Sequence, residues 1–317
     1  MDVGSIRTKL TRWYARTKRD LPWRRTRDPY AIWISEIMLQ QTRVAAVIPY
    51  YERFLRRFPD AAALAEASEQ ELLAMWSGLG YYSRARSLQK AARQMVERGT
   101  FPNDYASLRE LAGVGDYTAA AIASIAFGLP HAVVDGNVRR VIARVINDGH
   151  ANPQELADRL LDQRDPARWN QAVMELGATI CLPRAPLCEQ CPLALYCAAH
   201  RAGTQGDVPL KRLKPAPVRL ERTLLVIRRN GRVLLAPGTR VNGFWDLPEL
   251  FPAARLGAVL GEFAHTITHR HYRFTVREAR AARIPATCRW HAEKEIQQIL
   301  LSTVARKALR LYNTRQN

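Results

Sequence analysis

The chain has 317 residues, 47% of them apolar, and carries 48 Lys+Arg against 29 Asp+Glu for a formal net charge of +19. Such length and apolar content exclude a disordered chain and leave room for two or three domains with cores of their own. So strong a positive field predicts a polyanionic partner, and nucleic acid fits best, because neutralised phosphates release counterions. No run of about 18 apolar residues offers a membrane span, so no membrane partner is expected. The opening residues lack the apolar core of a signal peptide, which predicts a cytoplasmic chain, nucleoid-associated if bacterial. A monomer is expected.

Residues 5–19 read as a basic amphipathic helix, ended by Leu21-Pro22-Trp23 because the residue before proline avoids the α region. Asp28-Pro29 restarts a helix with an acidic cap and a proline whose missing N–H costs nothing there. In that helix Tyr30, Trp33, Ile34, Ile37 and Met38 form one apolar stripe, and Glu36 falls beside it. Short helices follow at about 45–57, 61–67, 69–77 (with a Ser68/Glu71 capping box), 83–98 and 105–111. After Gly113-Val114-Gly115, residues 116–127 are small and apolar, as suits a central helix. Asp135-Gly136-Asn137 opens another, running to about Asn147, and helices near 153–162 and 166–180 lead into a cysteine group. The first 200 residues are therefore expected to be all-α: a six-helix bundle over about 24–130 and a second subdomain from 1–23 and 131–200.

Residues 201–221, rich in proline and basic residues without periodicity, read as an extended linker. Beyond them strands are expected at Thr223–Arg229 and Arg232–Ala236, flanking the hairpin dipeptide Asn230-Gly231, and at His271–Glu278; a helix near 293–312 closes the chain. Residues 222–317 thus form a separate α+β domain.

Two stretches carry chemistry. The turn Ala112-Gly113-Val114-Gly115 stands at a helix start, where amides without intrahelical acceptors and a positive dipole end suit a phosphate; its glycines are expected to permit positive φ. Cys181, Cys188, Cys191 and Cys197, separated by six, two and five residues, have the density of a metal site, and both zinc and an iron–sulfur cluster accept four thiolates. Cys288 stands alone and reads as a buried hydrophobe.

The cysteine spacing, the hairpin LAGVG with VVDGNVRR, and SEIMLQQTRV together resemble the adenine DNA glycosylases, the MutY branch of the helix-hairpin-helix glycosylases. The resemblance runs from about Arg19 to Arg201 and continues more weakly to the end. It implies double-stranded DNA as partner, with adenine mispaired with 8-oxoguanine or guanine as the target, flipped out before its N-glycosidic bond is cut. It implies a 4Fe-4S cluster on the four cysteines. Glycosidic cleavage creates a cationic sugar and a poor leaving group, which two carboxylates with different tasks can serve. Glu36 matches the family's acid and later base, and Asp135 its cation-stabilising carboxylate. Tyr117 stands where strand-nicking relatives carry a Schiff-base lysine, so a glycosylase without lyase activity is implied.

The resemblance also places Gln41 and Tyr81 as the wedge that fills the emptied stack, with Tyr82 an ambiguous neighbour. Arg19, Trp23, Arg24 and Gln171 match adenine-pocket residues, and Gly113, Val114 and Gly115 the phosphate site. The C-terminal domain resembles a Nudix-like lesion reader, clearest at GFWDLPE (243–249). It lacks the RExxEE glutamates of a hydrolase. Its Ile267-Thr268-His269 sits where family members often have Phe-Ser-His. The rival readings are an endonuclease III-like bifunctional enzyme on damaged pyrimidines, a non-catalytic DNA-binding protein and a Nudix hydrolase.

Overall fold

Helix starts along the first two hundred residues are set by short acidic or amide side chains, often followed by proline. Asp28 accepts from the amides of Tyr30 and Ala31 at α2 (Pro29–Leu39), Asn152 from Gln154 at α10 (Pro153–Leu160), and Asp165 from Arg168 at α11 (Pro166–Thr179). The computed structural model describes residues 2–210 and 216–314. Their contacts divide the chain into two units, Met1–Arg212 and Leu213–Asn317. Among the described residues no helix is long and apolar enough to cross a membrane.

The first unit is helical throughout. α1 (Val3–Thr17) stops before Leu21-Pro22, and a 3-10 turn (Pro22–Arg24) leads to α2. α3 (Val44–Arg57), α4 (Ala61–Glu66), α5 (Glu69–Trp76), α6 (Ser83–Arg98) and α7 (Tyr105–Arg109) follow. Ser68 caps α5 through the amide of Glu71, at 3.2 Å. α8 (Asp116–Phe127), α9 (Gly136–Ile146), α10, α11 and α12 (Ala198–Ala202) complete the unit.

One element departs from its expected pattern in a way that matters. α2 is buried around its whole circumference, from Tyr30 to Met38, Ser35 and Glu36 included, because it packs on α8, α3 and α6 at once. Glu36, beside the expected apolar stripe, is therefore buried as well, at 5% exposed. α8, built of alanine and other small residues, allows close approach to both α2 and α11. A second core joins α1 to α8–α11 through Leu10, Ala121, Val141, Trp169 and Leu176.

The first part of the expected linker is not extended: Thr204 Oγ1 donates to Asn147 at 2.6 Å and Arg144 donates to the carbonyl of Val208 at 2.9 Å. Residues 211–215 of that stretch lie outside the described residues.

The second unit is α+β. β1 (Val218–Val226) runs parallel to β6 (Arg270–Ala281), which pairs antiparallel with β5 (Ala254–Ile267). β2 (Arg228–Arg229) and β3 (Arg232–Pro237) form the hairpin expected at Asn230-Gly231, and β3 also pairs with β4 (Trp245–Asp246) and β7 (Arg289–Ala292). The long β5 went unread in the sequence because bulges between Leu256 and Gly261 break its alternation. The single closing helix is also corrected. Leu300–Ser302 run extended beside Trp245, and Ser302 Oγ accepts from the Ala305 amide at 2.9 Å. That cap separates a 3-10 stretch (Glu293–Gln298) from α13 (Thr303–Thr314). Cys288 is buried, as expected.

Candidate active site

Where α8 packs against both α2 and α11, an open cleft of about 460 Å³ lies between them, within the ~300–1,000 Å³ usual for small-molecule sites. It gathers Glu36 from α2, Tyr117 from α8, Asp135 from the cap of α9, and Gln171 from α11. Arg19, Trp23 and Arg24, from the stretch between α1 and α2, close one side, and Gln41 stands at the α2–α3 turn.

Burial pushes the Glu36 carboxyl up to about 7, helped by the negative charge of Asp135 and opposed by a hydrogen bond from Tyr117. That bond, phenol Oη donating to Oε2, is 2.7 Å long. The same burial, with the Glu36 charge adding to it, raises the Tyr117 phenol well above its ordinary value, so the phenol stays protonated. Asp135 caps α9, with Oδ1 accepting from the Val138 amide at 2.7 Å and Oδ2 from the Asn137 side chain at 3.0 Å. Its capping task and its place in the cleft coexist. Asn137 in turn accepts from Arg140, whose Nε donates to the carbonyl of Cys181 at 2.8 Å.

The opposite side of the cleft contains a residue that sequence reading missed. Glu175, 1% exposed at its side chain, accepts two bonds from the Arg19 guanidinium and one from Arg24, each 2.8 Å. Burial alone would raise its pKa, but these guanidiniums outweigh burial and hold it at about 2. The available signal was a lone carboxylate one turn beyond Gln171 on a helix whose neighbours Trp169, Ala172, Val173 and Leu176 are buried. Gln171 accepts from Tyr14 at 3.0 Å, and Trp23 packs edge-on against Tyr51, so it serves the core and the cleft wall together.

The remaining expected residues lie outside the cleft lining. Tyr81 is 45% exposed in the α5–α6 turn with φ 49°. In the glycine turn only Gly113 has positive φ, 78°; Gly115 is an extended N-cap of α8 with φ −92°. Val114's amide is already spent on the carbonyl of Leu111, at 3.1 Å. Gly113, Gly115 and the first turn of α8 are thus the backbone available to an anion. His269 lies in the tight β5–β6 turn, beside Thr268 at φ 53°, while Ile267 packs half-buried on the domain core.

The four cysteines line one cavity together with Arg144, which donates to Cys181 Sγ at 3.3 Å. Burial pushes the Cys191 thiol up to about 12, so a bound cation would have to draw the proton off. Among the described residues no three His, Cys, Asp or Glu side chains converge on one point closely enough to hold a single ion.

A family model for the HhH-GPD superfamily base excision DNA repair proteins matches residues 34–164. The adenine DNA glycosylase of Rattus norvegicus is 48% identical over 225 residues, covering 65% of this chain and 43% of the rat protein. That of Mus musculus is 34% identical over 404 aligned positions, covering 98% of this chain and 78% of the mouse protein. The match therefore spans less than half of the rat protein's length. A solved structure of a thermostable thymine-DNA glycosylase, 30% identical, covers 63% of this chain and 97% of its own with a TM-score of 0.60. With similarity to the mouse protein along nearly its whole length, this chain belongs to the adenine DNA glycosylase family within the helix-hairpin-helix superfamily.

Proposed function

We propose that the chain releases adenine from duplex DNA by hydrolysing its N-glycosidic bond, acting on adenine opposite 8-oxoguanine or guanine, without cutting the strand. What carries this reading is a carboxyl pushed up to about 7, Glu36, in the same cleft as a second carboxylate, Asp135. Glu36 in its acid form protonates the leaving adenine. Tyr117 occupies Oε2, which assigns the transferable proton to Oε1. Asp135, fixed by its capping bonds, faces the electron-poor sugar, and the Glu36 carboxylate then takes a proton from the attacking water. Tyr117 has no amine with which to form a Schiff base, hence no lyase step.

Arg19, Trp23, Arg24 and Gln171 enclose the base, and Gly113 and Gly115 hold a phosphate through backbone amides. Cys181, Cys188, Cys191 and Cys197, which line one cavity, would hold a 4Fe-4S cluster. Bound by these four residues, such a cluster would tie the loop 181–197 together. The C-terminal domain, read as Nudix-like, meets the lesion with the turn Ile267-Thr268-His269.

The test is a duplex with adenine opposite 8-oxoguanine, comparing wild type with Glu36→Gln. Undiminished release by the variant sinks the acid assignment, and strand cleavage without alkali sinks the absence of lyase activity. A colourless protein holding zinc would overturn the cluster. The likeness to a thymine-DNA glycosylase favours a second reading, thymine removal. Thymine opposite guanine in the same assay separates the two.

A further inference from the structure

Two exposed residues, Gln41 (φ 57°) and Tyr81 (φ 49°), hold left-handed backbone conformations that non-glycine residues keep only where their surroundings over-determine them. They lie forty residues apart in different turns, yet one side chain sits behind both. Arg84, at the start of α6, donates through Nη1 to the carbonyls of Ile37 and Met38 at 2.9 and 3.0 Å, and to that of Gln40. These belong to the C-terminal end of α2, where carbonyls lack intrahelical donors and a cation is favoured. Nη2 donates to Thr42 Oγ1 and to the carbonyl of Gly80, each at 3.2 Å. The guanidinium carbon also lies 5.4 Å from the ring centroid of Tyr81. The residues bonded immediately flank Gln41 on both sides and precede Tyr81.

We infer that Arg84 is a positioning residue for base extrusion. Its planar fork joins the α2–α3 and α5–α6 turns, so that Gln41 and Tyr81 enter the duplex as one preformed wedge. The inference rests on the reading of those two residues as the wedge. Arg84 touches neither the base nor the sugar in this scheme. A lysine keeps the charge but, as a compact point donor, cannot serve both turns and stack on the ring.

The experiment uses the full chain with Arg84→Lys and a duplex holding adenine, or fluorescent 2-aminopurine in its place, opposite 8-oxoguanine. Single-turnover release should fall about 100-fold, as expected when a positioning contact is lost. The fluorescence rise that reports unstacking should be lost with it, while melting temperature and DNA affinity stay near wild type. Thr42→Val, which removes one acceptor and leaves the arginine, should show a smaller loss of the same kind. Release and fluorescence at wild-type levels in Arg84→Lys overturn the inference. So does a general loss of folding in Arg84→Lys together with wild-type extrusion by a folded Thr42→Val. Gln41→Ala and Tyr81→Ala keep the two readings apart: if both extrude normally, the wedge assignment fails, and if both fail to extrude while Arg84→Lys does not, only the arginine's role falls.

Discussion

The two sides of the cleft each bury a glutamate and treat it in opposite ways. On the α2 side, Glu36 has one neutral donor, a phenol, and the charge of Asp135 for company; burial wins and the carboxyl is pushed up to about 7. On the α11 side, Glu175 is as deeply buried but faces two guanidiniums, and its pKa falls to about 2. Burial is common to both, so the charge of the partner decides. One glutamate is left with an exchangeable proton at neutral pH and the other serves as a fixed anion that holds Arg19 and Arg24 in place.

The contrast is broken most directly at Glu36. Glu36→Gln keeps the shape and an acceptor for Tyr117 but has no proton to give, so adenine release should fall by about 10²–10⁴-fold, measured under single turnover. Stability should respond as well. The folded pKa of Glu36 lies above its ordinary value of 4.5, so its contribution is fully present below pH 4.5 and is lost as pH rises through about 7. The amide variant should lack that decline, on the order of 3 kcal/mol, in melting curves taken across the window. A variant that melts with the wild-type pH dependence would refute the raised carboxyl.

Glu175 has the opposite sign. Its contribution is present above about pH 4.5 and is lost as pH falls toward about 2. Glu175→Gln leaves two cations without their anion, and breaking a buried pair in this way costs about 3–5 kcal/mol. Arg19 is 39% exposed, so solvent screening takes the expected loss toward the lower figure. Freed of its partner, Arg24 should also draw the Glu36 pKa down, moving the high-pH limb of activity to lower pH. Chemical denaturation and a pH–rate profile read the two effects separately.

How far this contrast could be read in the sequence depends on how local each feature is. Caps such as Asp28, Ser68, Asp135 and Asp165 are set by residues two or three positions away, and the helices they start lie where expected. The burial of Glu36 was not legible, because it depends on α8, and its donor Tyr117 lies 81 residues onward. Glu175 was missed for the same reason: its partner Arg24 is 151 residues away, and a glutamate on a helix reads as solvated unless the whole face around it is buried. β5 escapes because its bulges erase the period-two pattern, and the closing helix reads too long because the local start signal at Ser302, which caps α13, is passed over.

The glycine turn gives a smaller and sharper comparison. A Cβ at Gly113 would lie 2.6 Å from that of Ser87, on a backbone already at positive φ, so Gly113→Ala should destabilise by about 1–3 kcal/mol. Gly115 has no atom within 4 Å of its would-be Cβ and no positive φ, so Gly115→Ala should leave stability within about 0.5 kcal/mol. If the phosphate sits there, the added methyl should nevertheless weaken DNA binding about tenfold, the loss of roughly one hydrogen bond. Unchanged affinity in Gly115→Ala would remove that amide from the phosphate site.

The finest test acts on the hydrogen bond from Tyr117 that restrains Glu36. Tyr117→Phe removes the phenol that donates to Oε2 and keeps the ring that fills the space. Because this donation favours the ionised form, its loss should raise the Glu36 pKa further above about 7. The protonated carboxyl is the active form in the proposed reaction, so the high-pH limb of the rate profile should move to higher pH. Well below that limb, where Glu36 is already protonated, the rate should change only through positioning. A limb that moves to lower pH would mean that Tyr117 stabilises the acid rather than the carboxylate. A limb that does not move would mean that the titrating group of the profile is not Glu36.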